Sequence, residues 1–194
     1  MIRTVFAAAL LGTTFAASAS AQQATDEAVA AAIAVFEENG CRLVRAELVE
    51  GMESRGFARP AIDAAAMAVV NRGLVGFTAD GATAILKSGE TCGNTALPVL
   101  HSDPEIRAAI FALYEERGCS APLSIDPRGV LGETFDPGAV DAELAVLVNG
   151  GGFVFAETGG EDVATLVTGP TCKALYCDSD AGKADAAGRC KGTD

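Results

Sequence analysis

The chain has 194 residues, a formal net charge of −12, six cysteines, one histidine and no tryptophan. So acidic a balance repels phosphate backbones and anionic lipid surfaces, which argues against nucleic-acid partners and favours cationic ones. No stretch is apolar and unbroken for long enough to cross a hydrocarbon core, so no membrane insertion is expected.

In chain order, residues 1–21 combine a basic start at Arg3, an apolar run from Val5 to Ala17 and the small-residue stretch Ala19-Ser20-Ala21. This is the layout of a secretory signal peptide with cleavage before Gln22, and it predicts a periplasmic or secreted protein. The mature chain then carries 13 Lys and Arg against 26 Asp and Glu. These are unevenly spread: residues 22–100 hold 6 basic and 10 acidic side chains, whereas residues 101–172 hold 3 and 12.

Phe36-Glu37-Glu38-Asn39-Gly40-Cys41 returns 78 residues later as Tyr114-Glu115-Glu116-Arg117-Gly118-Cys119. Laying residues 27–77 on 105–155 without a gap gives 17 identities in 51 positions, among them Phe57/Phe135, Asp63/Asp141, Asn71/Asn149 and Phe77/Phe155. The offset then grows to 80, matching Cys92 with Cys172, which puts two extra residues into Glu157 to Asp162, expected at a loop tip. An internal repeat of two modules is therefore expected, residues 25–92 and 103–172. A linker at 93–102 joins them, and a polar, cysteine-closed tail follows at 173–194. Modules of this size are marginal on burial alone and often carry staples.

Asp103-Pro104 supplies an N-cap and a first-turn proline, and Ile106, Ile110, Leu113 and Tyr114 then share one face, predicting an amphipathic helix that ends at Gly118. Arg45 to Arg55 predicts a second helix in the first copy. Its counterpart, Asp126 to Thr134, contains Pro127, Gly129 and Gly132 and should be short. A third helix begins at Asp136-Pro137 with Val140, Leu144, Leu147 and Val148 on one face, matched by Ile62, Ala66, Val69 and Val70, and stops near Gly73 or Gly151. Leu74 to Phe77 and Thr83 to Leu86 flank Asp80-Gly81, a hairpin signal.

Helix, short extended piece, helix, helix, hairpin resembles the winged helix-turn-helix domain, with the Asp-Gly hairpin as its wing. The resemblance covers residues 25–92 and 103–172 and implies an α+β fold of two tandem modules, each of three helices and a β-hairpin. It also implies that the extended piece after the first helix pairs antiparallel with the last strand. Of the 15 pairings open to six cysteines, the resemblance and the repeat favour Cys41–Cys92 and Cys119–Cys172, leaving Cys177–Cys190.

A winged helix suggests nucleic-acid binding through the exposed face of its third helix. That face reads Arg59, Asp63, Ala64, Met67 and Asn71, and in the second copy Pro137, Asp141, Ala142, Ala145 and Asn149; one arginine cannot neutralise several phosphates. Asp63 and Asp141 recur as candidate acid/base or cation-contacting groups, as do Glu37-Glu38 and Glu115-Glu116. The plainer reading sets the aspartates in the first turn of the third helix, favourable to its dipole, and the glutamates on a solvated helix end. His101 reads as an ordinary linker residue, and Asn149-Gly150-Gly151-Gly152 as a helix stop. Asp178 to Gly182 starts like a calcium loop but lacks its sixth-position glycine and twelfth-position acid, leaving a polar closed loop. The four phenylalanines Phe57, Phe77, Phe135 and Phe155 read as core. No cofactor, metal site or catalytic constellation is specified. The expectation is an exported, non-catalytic interaction or accessory protein that binds another extracytoplasmic protein through its acidic second module. The alternative is a small extracytoplasmic hydrolase or carbohydrate-acting enzyme using Asp63 or Asp141 with a nearby glutamate, which requires an inter-module cleft lined by these acids.

Overall fold

A computed structural model of the chain describes residues 24–185 and 188–190; the signal peptide read at residues 1–21 lies outside the described residues. Among the described residues there are eight helices and two three-stranded antiparallel sheets.

The first half runs α1 (Asp26–Glu38), β1 (Arg42–Val44), α2 (Arg45–Glu53), α3 (Arg59–Asn71), β2 (Val75–Phe77) and β3 (Thr83–Leu86). The second runs α4 (Pro104–Glu115), β4 (Ser120–Pro122), α5 (Pro127–Leu131), α6 (Pro137–Asn149), β5 (Phe153–Thr158) and β6 (Glu161–Leu166). The order of elements is the same, and so is the sheet: β3 lies between β1 and β2, and β6 between β4 and β5. The extended piece after the first helix therefore does pair antiparallel with the last strand, Leu43 opposite Ala84 and Ala121 opposite Ala164.

Local chemistry explains these boundaries. The Asp103 carboxylate accepts from the amides of Glu105 and Ile106 at the start of α4, and Asp136 accepts from Ala139 at the start of α6, satisfying amides that a helix leaves unpaired. α1 and α4 end alike. Gly40 and Gly118 take left-handed φ values of 68° and 66°, and the following cysteine amide reaches back to the carbonyl of Phe36 or Tyr114 at 2.8 Å. This is a Schellman stop. It turns Cys41 and Cys119, themselves at φ 68°, toward the sheet, where their carbonyls accept from Leu86 and Leu166. α5 is short and buries no side chain, as its proline and glycines predict.

Each half has its own core. Val29, Phe36, Leu43, Met52, Ile62 and Leu86 anchor the first, and Ile110, Tyr114, Val140, Phe153 and Leu166 the second. Phe57 and Phe77 pack partly buried against the first, Phe135 and Phe155 against the second. The bridges are Cys41–Cys92, Cys119–Cys172 and Cys177–Cys190, a set that suits an oxidising, extracellular environment. No helix among the described residues is long and apolar enough to cross a membrane.

Two expectations are corrected. The extra residues between Phe155 and Ala164 do not swell a loop tip: they lengthen the second hairpin to six-residue strands closed by Gly159 and Gly160 alone. Both glycines have positive φ, 65° and 84°, as a two-residue turn matched to strand twist demands. The stretch read as a polar closed loop is helical, with α7 (Pro170–Asp178) and α8 (Asp180–Lys183), because the Ser179 hydroxyl accepts from the Gly182 amide and caps α8.

Candidate functional site

Most of the face of α3 and α6 read as exposed is instead where the halves meet, while Arg59 and Pro137 at its start stay exposed. α3 packs on β5 and α6 on β2, so Ala64 and Ala145 are buried and Met67 is partly covered. Two asparagines at equivalent positions hold this contact reciprocally. The Asn71 side chain donates to the Phe155 carbonyl at 2.6 Å and accepts from the Phe155 amide at 2.8 Å. Asn149 donates to the Phe77 carbonyl at 3.0 Å and accepts from the Phe77 amide at 2.7 Å. β2 and β5 are edge strands, so each carboxamide supplies the donor and acceptor of an absent neighbouring strand, covering an edge that would otherwise invite pairing.

Arg189 adds a third tie. Its guanidinium donates to the carbonyls of Asn71 and Gly151, at the ends of α3 and α6, and to the Asp185 carboxylate. A cation at two helix C-termini faces the negative end of both dipoles, and Cys177–Cys190 holds it there.

Between the halves lies a cavity of about 430 Å³, a size typical of small-molecule sites. Its walls are apolar: Met67 and Val70 from α3, Leu144 and Val148 from α6, and Phe77 and Phe155 from the edge strands. It reaches deeper into the first half, to Phe36, Leu43 and Leu48. Val44 and Leu123 also line it, and both are unusually exposed for large apolar side chains, at 40% and 47%. The polar lining comes from Arg45, Asp63, Asp141 and Asp162.

Asp63 and Asp141 thus face one cavity from the two halves. Both are the fifth residue of their helix, beyond the first turn, so the first-turn placement is corrected. What holds them is arginine. Asp63 accepts from Arg45 at 3.0 Å and Arg59 at 3.1 Å; Asp141 lies 3.5 Å from Arg128, which also bonds Asp126 at 3.1 Å. Burial pushes the Asp141 carboxyl above its ordinary value against the pull of Arg128, with Asp126 and Asp80 pushing the same way. Asp80 belongs to the first hairpin, so the two halves meet electrostatically here as well. Asp162 makes no ion pair among the described residues.

The remaining candidates lie elsewhere. Glu38 pairs with Arg55, Glu115 and Glu116 are exposed at the end of α4, and His101 is exposed in the linker. Asn149 to Gly152 is a helix stop in which the asparagine does separate work. Among the described residues no three His, Cys, Asp or Glu side chains are grouped to hold a metal. Sequence reasoning missed the roles of Asn71, Asn149 and Arg189. It also missed Glu143, 1% exposed, which accepts from Arg107 at 2.6 Å, Ser102 at 3.1 Å and the Asp103 amide at 2.7 Å, fixing the linker's end to α6. The only signal for the asparagines was their recurrence 78 residues apart. Comparison with family models, curated proteins and solved structures finds nothing that matches this chain.

Proposed function

We propose that the chain is an exported, non-catalytic interaction or accessory protein, periplasmic or secreted, built from two duplicated winged-helix-like modules, and that its acidic second module docks a basic protein of the same compartment. One observation carries this reading: all three arginines of residues 101–172 are turned onto the module's own groups. Arg107 is held by Glu143, Arg117 donates to the Leu113 carbonyl, and Arg128 pairs with Asp126 and Asp141. On α4 and its C-cap, Glu105, Glu115 and Glu116 meanwhile stand exposed, Glu116 at 3.8 Å from Arg117. The uncompensated field favours a cationic partner and fast, salt-sensitive association. Crosslinking of the tagged mature protein in its export compartment, followed by mass spectrometry, tests it. A recurrent basic partner lost in a high-salt wash supports the proposal; turnover of a substrate by the purified protein overturns it.

The hydrolase alternative keeps one specific support, because Asp63 and Asp141 line one cavity between the halves, although the nearby glutamate it also requires is not part of that lining. It predicts that Asp63→Asn or Asp141→Asn abolishes turnover without changing the melting temperature.

A further inference from the structure

We propose that the cavity between the halves binds a small molecule with an apolar body and a cationic end, held by Asp162 and Asp141 at the mouth. This goes beyond the protein-docking reading and uses a different surface, since α4 contributes nothing to the cavity lining.

The apolar part of the argument is geometric. A void of about 430 Å³ walled by side chains of both halves is a site for a compact ligand. Val44 and Leu123 stand 40% and 47% exposed at its lining, from opposite halves. Side chains of that kind left in water at a concave mouth gain from an apolar occupant that covers both.

The charge part is set by which acids are already neutralised. Asp63 is held by two guanidiniums, Arg45 and Arg59, and has little left to offer. Asp162 lines the cavity with no ion pair among the described residues. It stands directly across the ladder from Glu157, a like-charge pair that costs the hairpin stability unless a cation sits beside it. Asp141 shares Arg128 with Asp126, which stands closer to it, at 3.1 Å against 3.5 Å, and is crowded further by Asp126 and by Asp80 across the interface. A cation at this end relieves all of these repulsions together, whereas an anion adds to them. The hairpin extension is what brings Asp162 and Glu157 here, and the first hairpin, with Asp80 at its tip, has no such facing pair.

The test uses the mature chain with its disulfides intact, titrated below micelle formation with dodecyltrimethylammonium and, separately, dodecyl sulfate. Binding is read by calorimetry and by backbone amide shifts at Phe77 and Phe155. The expected result is saturable binding of the cationic probe at least about tenfold tighter than the anionic one, each tenfold being one step of affinity. Asp162→Asn should shrink that preference several-fold, and Ala66→Phe, which fills the cavity, should abolish the binding of both probes. If Ala66→Phe fails to fold, Ala84→Leu, also at the cavity lining, takes its place. Equal or inverted preference, no saturable binding, or binding that survives a folded cavity-filled variant overturns the proposal. Reversing Glu115 and Glu116 to lysine removes the protein-docking surface while leaving this site, so the two readings fail separately.

Discussion

Asn149→Ala is the sharpest test of how the halves are joined. The substitution removes two hydrogen bonds, at 2.7 and 3.0 Å, and leaves the Phe77 amide and carbonyl without partners on a partly buried edge strand. A buried orphan of this kind costs about 1–3 kcal/mol, and incomplete burial puts both near the low end, so about 2 kcal/mol is expected for the variant. For a body of this size that is a fall in melting temperature of about 4–8 °C. Asn71→Ala should cost the same, because its bonds to Phe155 are equivalent. The double variant should cost less than the sum, since both act on one interface. Amide hydrogen exchange supplies the local readout: Asn149→Ala should deprotect Phe77 before Phe155, and Asn71→Ala the reverse. Changes under about 0.5 kcal/mol, with exchange at both phenylalanines unmoved, refute the reasoning.

Glu143→Ala should destabilise by about 3 kcal/mol in chemical denaturation, since it strips a buried carboxylate from Arg107 and leaves the Asp103 amide unpaired. Reduction should melt both halves: the bridges closing 51 and 53 residues are each worth about 4 kcal/mol in the chain-entropy model, and loss of far-ultraviolet circular dichroism on adding reductant checks it. Removing only the third bridge by Cys177→Ser and Cys190→Ser should free Arg189 from Asn71 and Gly151. It should lower the melting temperature by a few degrees with both cores retained, seen as unchanged secondary structure. The pH dependence of Asp141 follows from its raised folded value. The folded state holds this proton more tightly than the unfolded one, so its contribution is fully present below the ordinary value of 3.8 and is lost as pH rises through the folded one. Wild type minus Asp141→Asn stability should therefore be larger at about pH 3 than at about pH 7, by denaturant unfolding at each.

Within each half, the elements are legible in the sequence because their causes are local. Asp103-Pro104 and Asp136-Pro137 announce helix starts, Pro127 and Gly129 shorten α5, and Asp80-Gly81 turns the first hairpin. The disulfides follow once the strand pairing does. What joins the halves is long-range and carries no period. Ala64, Met67 and Ala145 lie on a face that the other half covers, and a polar Asn71 on such a face reads as solvated until an edge strand is set against it. Asp63 and Asp141 stand out by recurrence, yet the arginines that hold them, Arg45, Arg59 and Arg128, have no counterparts at the 78-residue offset, so that offset could not pair them. The hairpin extension is hard to read because two added residues fit a tip or two longer strands equally well, and only Gly159-Gly160 decides between them.

The measurement that tests the central claim most directly is crosslinking in the export compartment, run side by side on the wild-type chain and on Glu105→Lys/Glu115→Lys/Glu116→Lys. These three exposed side chains lie on α4 and in its C-cap. Recovery of one basic partner by the wild type, lost in high salt and lost in the charge-reversed variant that keeps its melting temperature, is the predicted result. The same partner recovered at the same yield by both chains would contradict it.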